Sequence, residues 1–156
     1  MYYAVILLLM LILPAVSVIA EFMLTQGAAG WLPLVGKWVV FWGVGIRLLV
    51  AGLRQVIRPG LTATMLGVKD QAANGLVREV GFGNLAIGTT GALTLTLPNW
   101  TLAAAMCGGM FYGFAGLQHI FAKHRTSEET WAMVSDSRFS SCWRFTSGSA
   151  CCIDRP

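Results

Sequence analysis

Charged residues are scarce in this sequence. Lys, Arg, Asp and Glu make up 12% of its 156 residues, while hydrophobic residues make up 56%. A soluble domain carries about 25% charge, so this scarcity excludes an ordinary water-exposed surface. The four cysteines form no CxxC pair and have no histidine at zinc-ligand spacing. We therefore predict no metal site, no disulfide framework and no catalytic residues.

The net charge of +4 does not indicate a nucleic-acid partner. The basic residues lie at the ends of apolar runs instead of forming one exposed face, which is typical of membrane anchoring. The lipid bilayer is therefore the first partner that the sequence predicts. The 18 glycines fit close packing of helices in a bilayer, where small residues let backbones approach each other.

Four apolar runs have the length of ~20 residues that a helix needs to cross the hydrocarbon core. They cover residues 2–20, 38–57, 77–97 and 101–122. We predict an all-α integral membrane protein whose four transmembrane helices form an antiparallel bundle within residues 1–136. Pro14 should kink the first helix without ending it. The small residues around Ala20 also resemble a signal-peptide cleavage site, but no basic residue precedes them.

The distribution of basic residues predicts the orientation in the membrane. The link between the second and third runs contains Arg58, Lys69 and Arg78, and Lys123 and Arg125 follow the fourth run. Cytoplasmic links are enriched in Lys and Arg, so we expect both termini in the cytoplasm. Tryptophans near the opposite ends of the helices fit an interfacial aromatic belt. These features predict a multi-pass membrane protein.

Arginines also occur inside the second run. Arg47, Arg54 and Arg58 fall within about 40° of one another on a helical wheel, so they share one face. Arg54 and Arg58 lie near the cytoplasmic end, where arginines anchor helices at the interface. Arg47 lies near the middle of the run, where an arginine costs about 2.5–3.5 kcal/mol on insertion scales. We therefore expect Arg47 to face other helices or a wet cavity.

The residues at the same depth on the other runs predict the surroundings of these arginines. Tyr112 is level with Arg47, whereas Asn84, Glu79 and His119 are level with Arg54 in an antiparallel bundle. We therefore predict one inward-facing polar patch. Its members are Arg47, Arg54, Glu79, Asn84, Tyr112 and His119.

Two interpretations of this patch remain open. In the first, its polar contacts hold the helices together and set their register. In the second, it lines a pocket open to the cytoplasm. Arg47 would then bind an anionic or quinone-like head group, and Glu79 and His119 would pass protons. A quinone is the one cofactor that the second interpretation raises.

Small residues recur every four positions in the third and fourth runs. One series is Asn84, Gly88 and Ala92, and the other is Ala105, Gly109 and Gly113. Such seams are typical of close helix contact in membranes. They serve either contacts within the chain or a homo-oligomer, and both alternatives remain open.

Four segments carry a family resemblance. They are FWGVGIRLLVAGLRQVIRPG, VREVGFGNLAIGTTGALTL, GGMFYGFAGLQHIFAKHR and AMVSD. Across residues 2–136 the chain resembles a family of small bacterial integral membrane proteins of unknown function. This resemblance implies a protein of the bacterial inner membrane and carries over no catalytic residue, because the family has no established activity. More distantly, the layout is similar to that of DoxX-like membrane proteins, which implies a link to quinone or redox chemistry.

Residues 137–156, SRFSSCWRFTSGSACCIDRP, form a polar tail that breaks the apolar pattern. The resemblance implies that relatives continue here into a fifth apolar helix. If the serines use TCN codons and the arginines CGN codons, the neighbouring reading frame encodes apolar residues at positions 137, 139–142 and 145. We therefore predict a disordered remnant of a frameshift. The alternative is a genuine cytoplasmic tail whose Cys151 and Cys152 are acylated or bind metal.

These observations favour a non-enzymatic function. We expect a small membrane protein that packs helices, either as a homo-oligomer or as an accessory component with a protein partner. The alternatives are a DoxX-like protein that uses the polar patch for quinone or redox chemistry, and a small transporter or channel. The sequence shows no inverted repeat and no second deeply placed charge, which argues against the transporter.

Overall fold

The computed structural model describes residues 2–65 and 71–121, and every regular element in these two ranges is a helix. The all-α class is therefore confirmed for the described part of the chain. The tail at 137–156 and the predicted domain end at residue 136 lie outside the described residues. So does the side chain of His119.

The first helix, α1, spans residues 2–24 and contains a π-helical turn. Tyr2–Leu7 and Leu13–Leu24 are α-helical, and Leu8–Ile12 lies between them. Pro14 accounts for this turn, because it has no N–H to donate to a carbonyl one turn earlier. The N–H of Leu13 bonds to the carbonyl of Leu8, five residues before it. The helix therefore continues past Pro14 and ends at Leu24, beyond the predicted end at residue 20.

The second helix, α2, spans Trp31–Ile57 and begins well before residue 38, where we predict the second span to start. Gly30 has φ 68°, a left-handed conformation that suits glycine and separates α2 from the preceding turn. Pro33 lies in the first turn, where a missing N–H costs nothing. Lys37, the residue before the predicted start, does not end the helix. Its charge is paired with Glu21 of α1 instead.

Three further elements complete the described chain. They are α3, Pro59–Met65; α4, Ala73–Leu93; and α5, Thr101–Phe121, which a 3-10 turn at Pro98–Trp100 precedes. The predicted range 77–97 places α4 about one turn too late. Thr94 explains the early end, because its backbone N–H and its hydroxyl both bond to the carbonyl of Gly91.

Three helices of the described chain are long and apolar enough to cross a membrane, which fits a membrane protein. They are Ala4–Leu24, Trp31–Ile57 and Pro98–Gln118. α4 has the same length as α5, 21 residues, but it is not one of the three. Its glycines and threonines, together with Arg78 and Glu79 near its start, dilute its apolar character.

α2 and α4 pack with their backbones in direct contact. A Cβ atom added to Gly45 would lie 2.7 Å from the backbone nitrogen of Ala92, and one added to Gly52 would lie 2.7 Å from the carbonyl oxygen of Gly81. Only glycine fits at such distances. Gly45 meets Gly91 and Ala92 near the end of α4, and Gly52 meets Gly81 and Leu85 near its middle. Ala92 of the predicted seam thus serves a contact within the chain.

The core lies where α2 crosses α5. Its buried members are Val40, Val44, Leu48, Ala104, Ala105 and Tyr112. Gly108 of α5 lies against Val44, and a Cβ at this position would overlap the Val44 methyl groups. Glycine and alanine on α5 therefore let α2 approach closely, and Tyr112 of α5 belongs to the same buried cluster.

Candidate functional site

Arg47 and Tyr112 are in direct contact inside this core. The guanidinium carbon of Arg47 lies 4.6 Å from the centre of the Tyr112 ring, a distance at which a cation is attracted to the face of an aromatic ring. The Tyr112 side chain is 2% exposed, and the Nη1 nitrogen of Arg47 is buried. The structure thus brings together the two residues that the sequence places at equal depth.

A π-helical segment of α2, Val40–Ile46, directly precedes Arg47. The N–H of Arg47 bonds to the carbonyl of Trp42, five residues earlier, and so does not make the usual α-helical bond to Gly43. The Tyr112 hydroxyl donates to the carbonyl oxygen of Gly43 at 2.7 Å. The π-helical segment therefore offers α5 a backbone acceptor in the middle of α2, as such segments often do at functional sites.

A second polar contact joins α2 and α4. The Asn84 side-chain nitrogen donates to the side-chain oxygen of Gln55 at 2.7 Å. Asn84 is buried, and its Oδ1 atom has no hydrogen-bond donor among the described residues. Gln55 is absent from the predicted patch. Its position two residues before the end of α2 places it near the depth of Asn84, so the same depth comparison would have identified it.

The remaining predicted site residues lie elsewhere. Arg54 is exposed on α2, and Glu79 is exposed near the start of α4. The side chain of His119 lies outside the described residues. Of the predicted patch, the structure brings Arg47 and Tyr112 into contact and gives Asn84 a partner outside the predicted set. Ligand binding by these residues stays a prediction.

The sequence did not predict a second polar cluster, which links α1 to α2. The Lys37 ammonium donates to both carboxylate oxygens of Glu21 at 2.7 and 2.8 Å, and the Trp38 indole N–H donates to Glu21 at 2.6 Å. One turn further, the Trp42 indole N–H donates to the Ser17 hydroxyl at 3.0 Å. These contacts join the two helices at the end opposite Arg54 and Arg58, and they explain why two charges are tolerated there.

Within residues 2–65 and 71–121, no group of three His, Cys, Asp or Glu side chains is close enough to hold a metal ion. Cys107 is a free, exposed thiol on α5. The polar groups in the interior of the described part are thus an arginine, a tyrosine, amides and hydroxyls. They can bind an anion or orient a hydrogen-bonding ligand, and they can also hold helices in register.

Comparison with known proteins gives one result. No curated protein and no solved structure shows a significant match to this chain. The profile of a family of unknown function, DUF6790, matches residues 1–131, which include all the helices described above. This chain is therefore a member of the DUF6790 family, and it carries in that matched region three helices long enough and apolar enough to cross a membrane.

Proposed function

We propose that this protein is a multi-pass integral membrane protein that crosses the bilayer four times as an antiparallel bundle. Its function is non-enzymatic: it packs helices, as a homo-oligomer or as an accessory component with a protein partner. The glycine contact between α2 and α4 carries this proposal. Backbone-to-backbone approach at Gly45 and Gly52 is typical of helices that associate in lipid. There the hydrophobic effect does not drive association, and close van der Waals packing between small residues stabilises the helix pair.

Two features support α4 as the fourth span. Three of its polar side chains have partners within the protein: the hydroxyls of Thr89 and Thr90 donate to carbonyls one turn earlier at 2.8 Å, and the Asn84 side-chain nitrogen donates to Gln55. A polar group in lipid is tolerated when it has such partners. The outer face of α4 also exposes large apolar side chains, including Val80 and Phe82. α4 therefore has a packing face and a lipid-compatible face.

The basic residues set the orientation of this proposed bundle. Arg54, Arg58 and Arg78 lie at one end of the α2–α4 pair, and this end is cytoplasmic by the positive-inside rule. Both termini are then cytoplasmic, and the protein resides in the bacterial inner membrane. The Glu21–Lys37 pair lies at the outer end of the bundle. Glu21 neutralises the charge of Lys37, so this lysine does not oppose the proposed orientation.

Labelling of single cysteines in intact cells tests the number of spans. In a background without the four native cysteines, Gln71→Cys before α4 and Asn99→Cys after it report the two ends of that helix. Four spans predict that an impermeant maleimide labels Asn99→Cys in intact cells and Gln71→Cys only after permeabilisation. If both positions label from the same side, α4 does not cross the membrane and the four-span proposal is wrong.

A second candidate function has its own observation in favour. The Arg47 guanidinium lies on the Tyr112 ring within the helix core, and a charged group in that position is functional by default in membrane proteins. Arg47 would bind a quinone-like head group in a DoxX-like, redox-associated protein. Extraction of lipids and quinones from the purified protein tests this. A stoichiometric quinone that is lost in the Arg47→Leu variant supports it, and a stable, quinone-free wild type contradicts it.

A further inference from the structure

The side of α4 that faces away from α2 carries a regular row of exposed residues. Gly81, Gly88 and Gly91 meet α2. The row lies on the opposite side of the helix, because Glu79 and Gly88 are two and a half turns apart. The spacing within the row alternates between four and three residues, which is the spacing of a coiled-coil contact. This outer row of α4 consists of Gly75, Glu79, Phe82, Ala86, Thr89 and Leu93, and all six are exposed.

The composition of the outer row differs from that of the exposed side of α5. Four of its six residues, Gly75, Glu79, Ala86 and Thr89, are small or polar. Small residues and threonine are enriched where helices contact each other in a membrane. The exposed side of α5 carries large apolar side chains instead, namely Leu102, Met106, Met110 and Phe114. The outer row of α4 therefore favours contact with another helix over contact with lipid.

Two opposite charges lie next to each other in the first half of α4. Arg78 and Glu79 are both exposed, and within residues 2–65 and 71–121 neither of them forms an ion pair with another residue. Charged side chains in a membrane-spanning helix almost always pair with another group or face a wet cavity. If α4 crosses the membrane, the partner of Glu79 therefore has to come from another molecule.

A second copy of this chain offers a partner of matching charge. Two copies have the same orientation in the membrane, because the same basic residues orient each of them. A symmetric dimer through α4 is therefore parallel, with equal residues at equal depth. In a parallel coiled-coil pair, each side chain of the contact row packs among four residues of the other helix. For Glu79 these four are Gly75, Arg78, Glu79 and Phe82 of the partner subunit. Two arginines and two glutamates then form one neutral cluster.

We propose that the outer row of α4 is a homodimer interface, in which the α4 helices of two copies pack in parallel. The inference rests on the function proposed above, since it requires α4 to cross the membrane, and it names a second copy as the partner in helix packing. Ala86 lets the two backbones approach each other, and Phe82 and Leu93 contribute apolar contacts. Val80 lies about 100° away from Glu79 on the wheel, so it remains toward lipid.

Disulfide cross-linking in native membranes tests the position of the interface. In the full-length chain without its four native cysteines, Ala86→Cys and Leu93→Cys place a thiol in the outer row, and Val80→Cys is the control. Val80 is 45% exposed and Leu93 is 38% exposed, so the positions differ in their side of the helix and not in access. A disulfide needs Cα atoms within about 7 Å. Oxidation should therefore cross-link Ala86→Cys and Leu93→Cys into dimers and leave Val80→Cys monomeric. Equal cross-linking at Val80→Cys, or none at any position, would overturn the proposal.

Charge reversal tests the neutral cluster. In the Ala86→Cys background, Glu79→Arg gives a homodimer four positive charges at this level, and Arg78→Glu gives it four negative charges. Each variant alone should lose about tenfold in cross-linked dimer, because like charges oppose each other across the contact. Two differently tagged chains, one with each change, are complementary and should cross-link to each other as efficiently as the unreversed chains do. Both positions are exposed, so the fold of the single chain should not change. Undiminished homodimers of both variants would overturn the proposal, because the charges would then lie outside the interface.

The outcomes also separate this inference from the proposed function. If Gln71→Cys and Asn99→Cys label from opposite sides of the membrane but Ala86→Cys and Leu93→Cys do not cross-link, only the dimer interface is overturned. If both labelling positions react from the same side, the four-span proposal itself is wrong. An Ala86→Cys adduct with a different protein, in place of a second copy, would assign the outer row to that partner and likewise overturn the homodimer.

Discussion

The hydroxyl of Tyr112 lies 2.7 Å from the carbonyl oxygen of Gly43 and donates a hydrogen bond to it. This single bond joins the middle of α5 to the π-helical segment of α2. The Gly43 carbonyl accepts it because the backbone N–H of Arg47 bonds to the carbonyl of Trp42 instead. The bond explains why a tyrosine lies in a core that otherwise consists of aliphatic and small residues. It also gives the π-helical segment a tertiary partner.

Tyr112→Phe should destabilise the protein while the core shape is preserved. The change removes the hydroxyl and leaves the Gly43 carbonyl without this donor, and a buried acceptor left unsatisfied costs about 1–3 kcal/mol. Thermal unfolding of the purified protein in detergent measures the effect. Phe114→Leu is the control, because Phe114 is exposed on the same helix and its truncation should leave the unfolding temperature nearly unchanged. Equal unfolding temperatures for Tyr112→Phe and wild type would contradict the importance of the bond.

Gly91→Ala should disrupt the contact between α2 and α4. The added Cβ would lie 2.6 Å from the backbone nitrogen of Gly45, so the helices must separate, at a cost of about 1–3 kcal/mol. Gly83→Ala is the matched control on the same helix, because a Cβ there meets nothing within 4 Å. It should stabilise α4 by about 0.5–1 kcal/mol, since alanine favours helix more than glycine does. Unfolding in a denaturant series distinguishes the two, and similar effects of both variants would contradict the packing described here.

Glu21 and Lys37 should show measurable coupling between α1 and α2. Their side chains are 25% and 33% exposed, so solvent screens the pair only in part. A double-mutant cycle with Glu21→Gln and Lys37→Met is expected to give a coupling free energy of about 1 kcal/mol. The coupling should decrease in high salt. Strictly additive single effects would show that the ion pair contributes no net stability.

Residues 4–24 should remain in the mature protein. The Ser17 hydroxyl and the Glu21 carboxylate bind Trp42, Lys37 and Trp38 of α2, so cleavage after Ala20 would remove one of these contacts and detach most of α1. Intact-mass measurement of the membrane-extracted protein checks this. A mass that corresponds to a chain beginning after Ala20 would favour the signal-peptide alternative.

The tail at 137–156 should prove to be a product of a shifted reading frame. Resequencing of the gene across codon 136 checks this, and a single-base insertion or deletion there would restore an apolar helix. Homologous genes that encode the same polar tail in frame would contradict the hypothesis and favour a genuine cytoplasmic tail.

The helical class, the approximate helix positions and the equal depth of Arg47 and Tyr112 were predictable from the sequence. Apolar runs of about 20 residues leave few other possibilities, and depth along a straight helix follows from 1.5 Å per residue. The exact helix ends were less predictable. Lys37 suggested a start after residue 37, whereas the partner that keeps this lysine within α2, Glu21, lies on another helix.

The amino-acid sequence specified which segments are helices and which residues lie on one helix face, because both depend on neighbours within a few turns. The tertiary structure decided how the helices are rotated and shifted against each other. It placed Gln55 beside Asn84, turned Gly45 and Gly52 toward α4, and formed the π-helical segment that offers the Gly43 carbonyl to Tyr112. These features arise from close packing between segments that are distant in sequence. Rotating one helix by a single residue position would replace one set of contacting side chains with another.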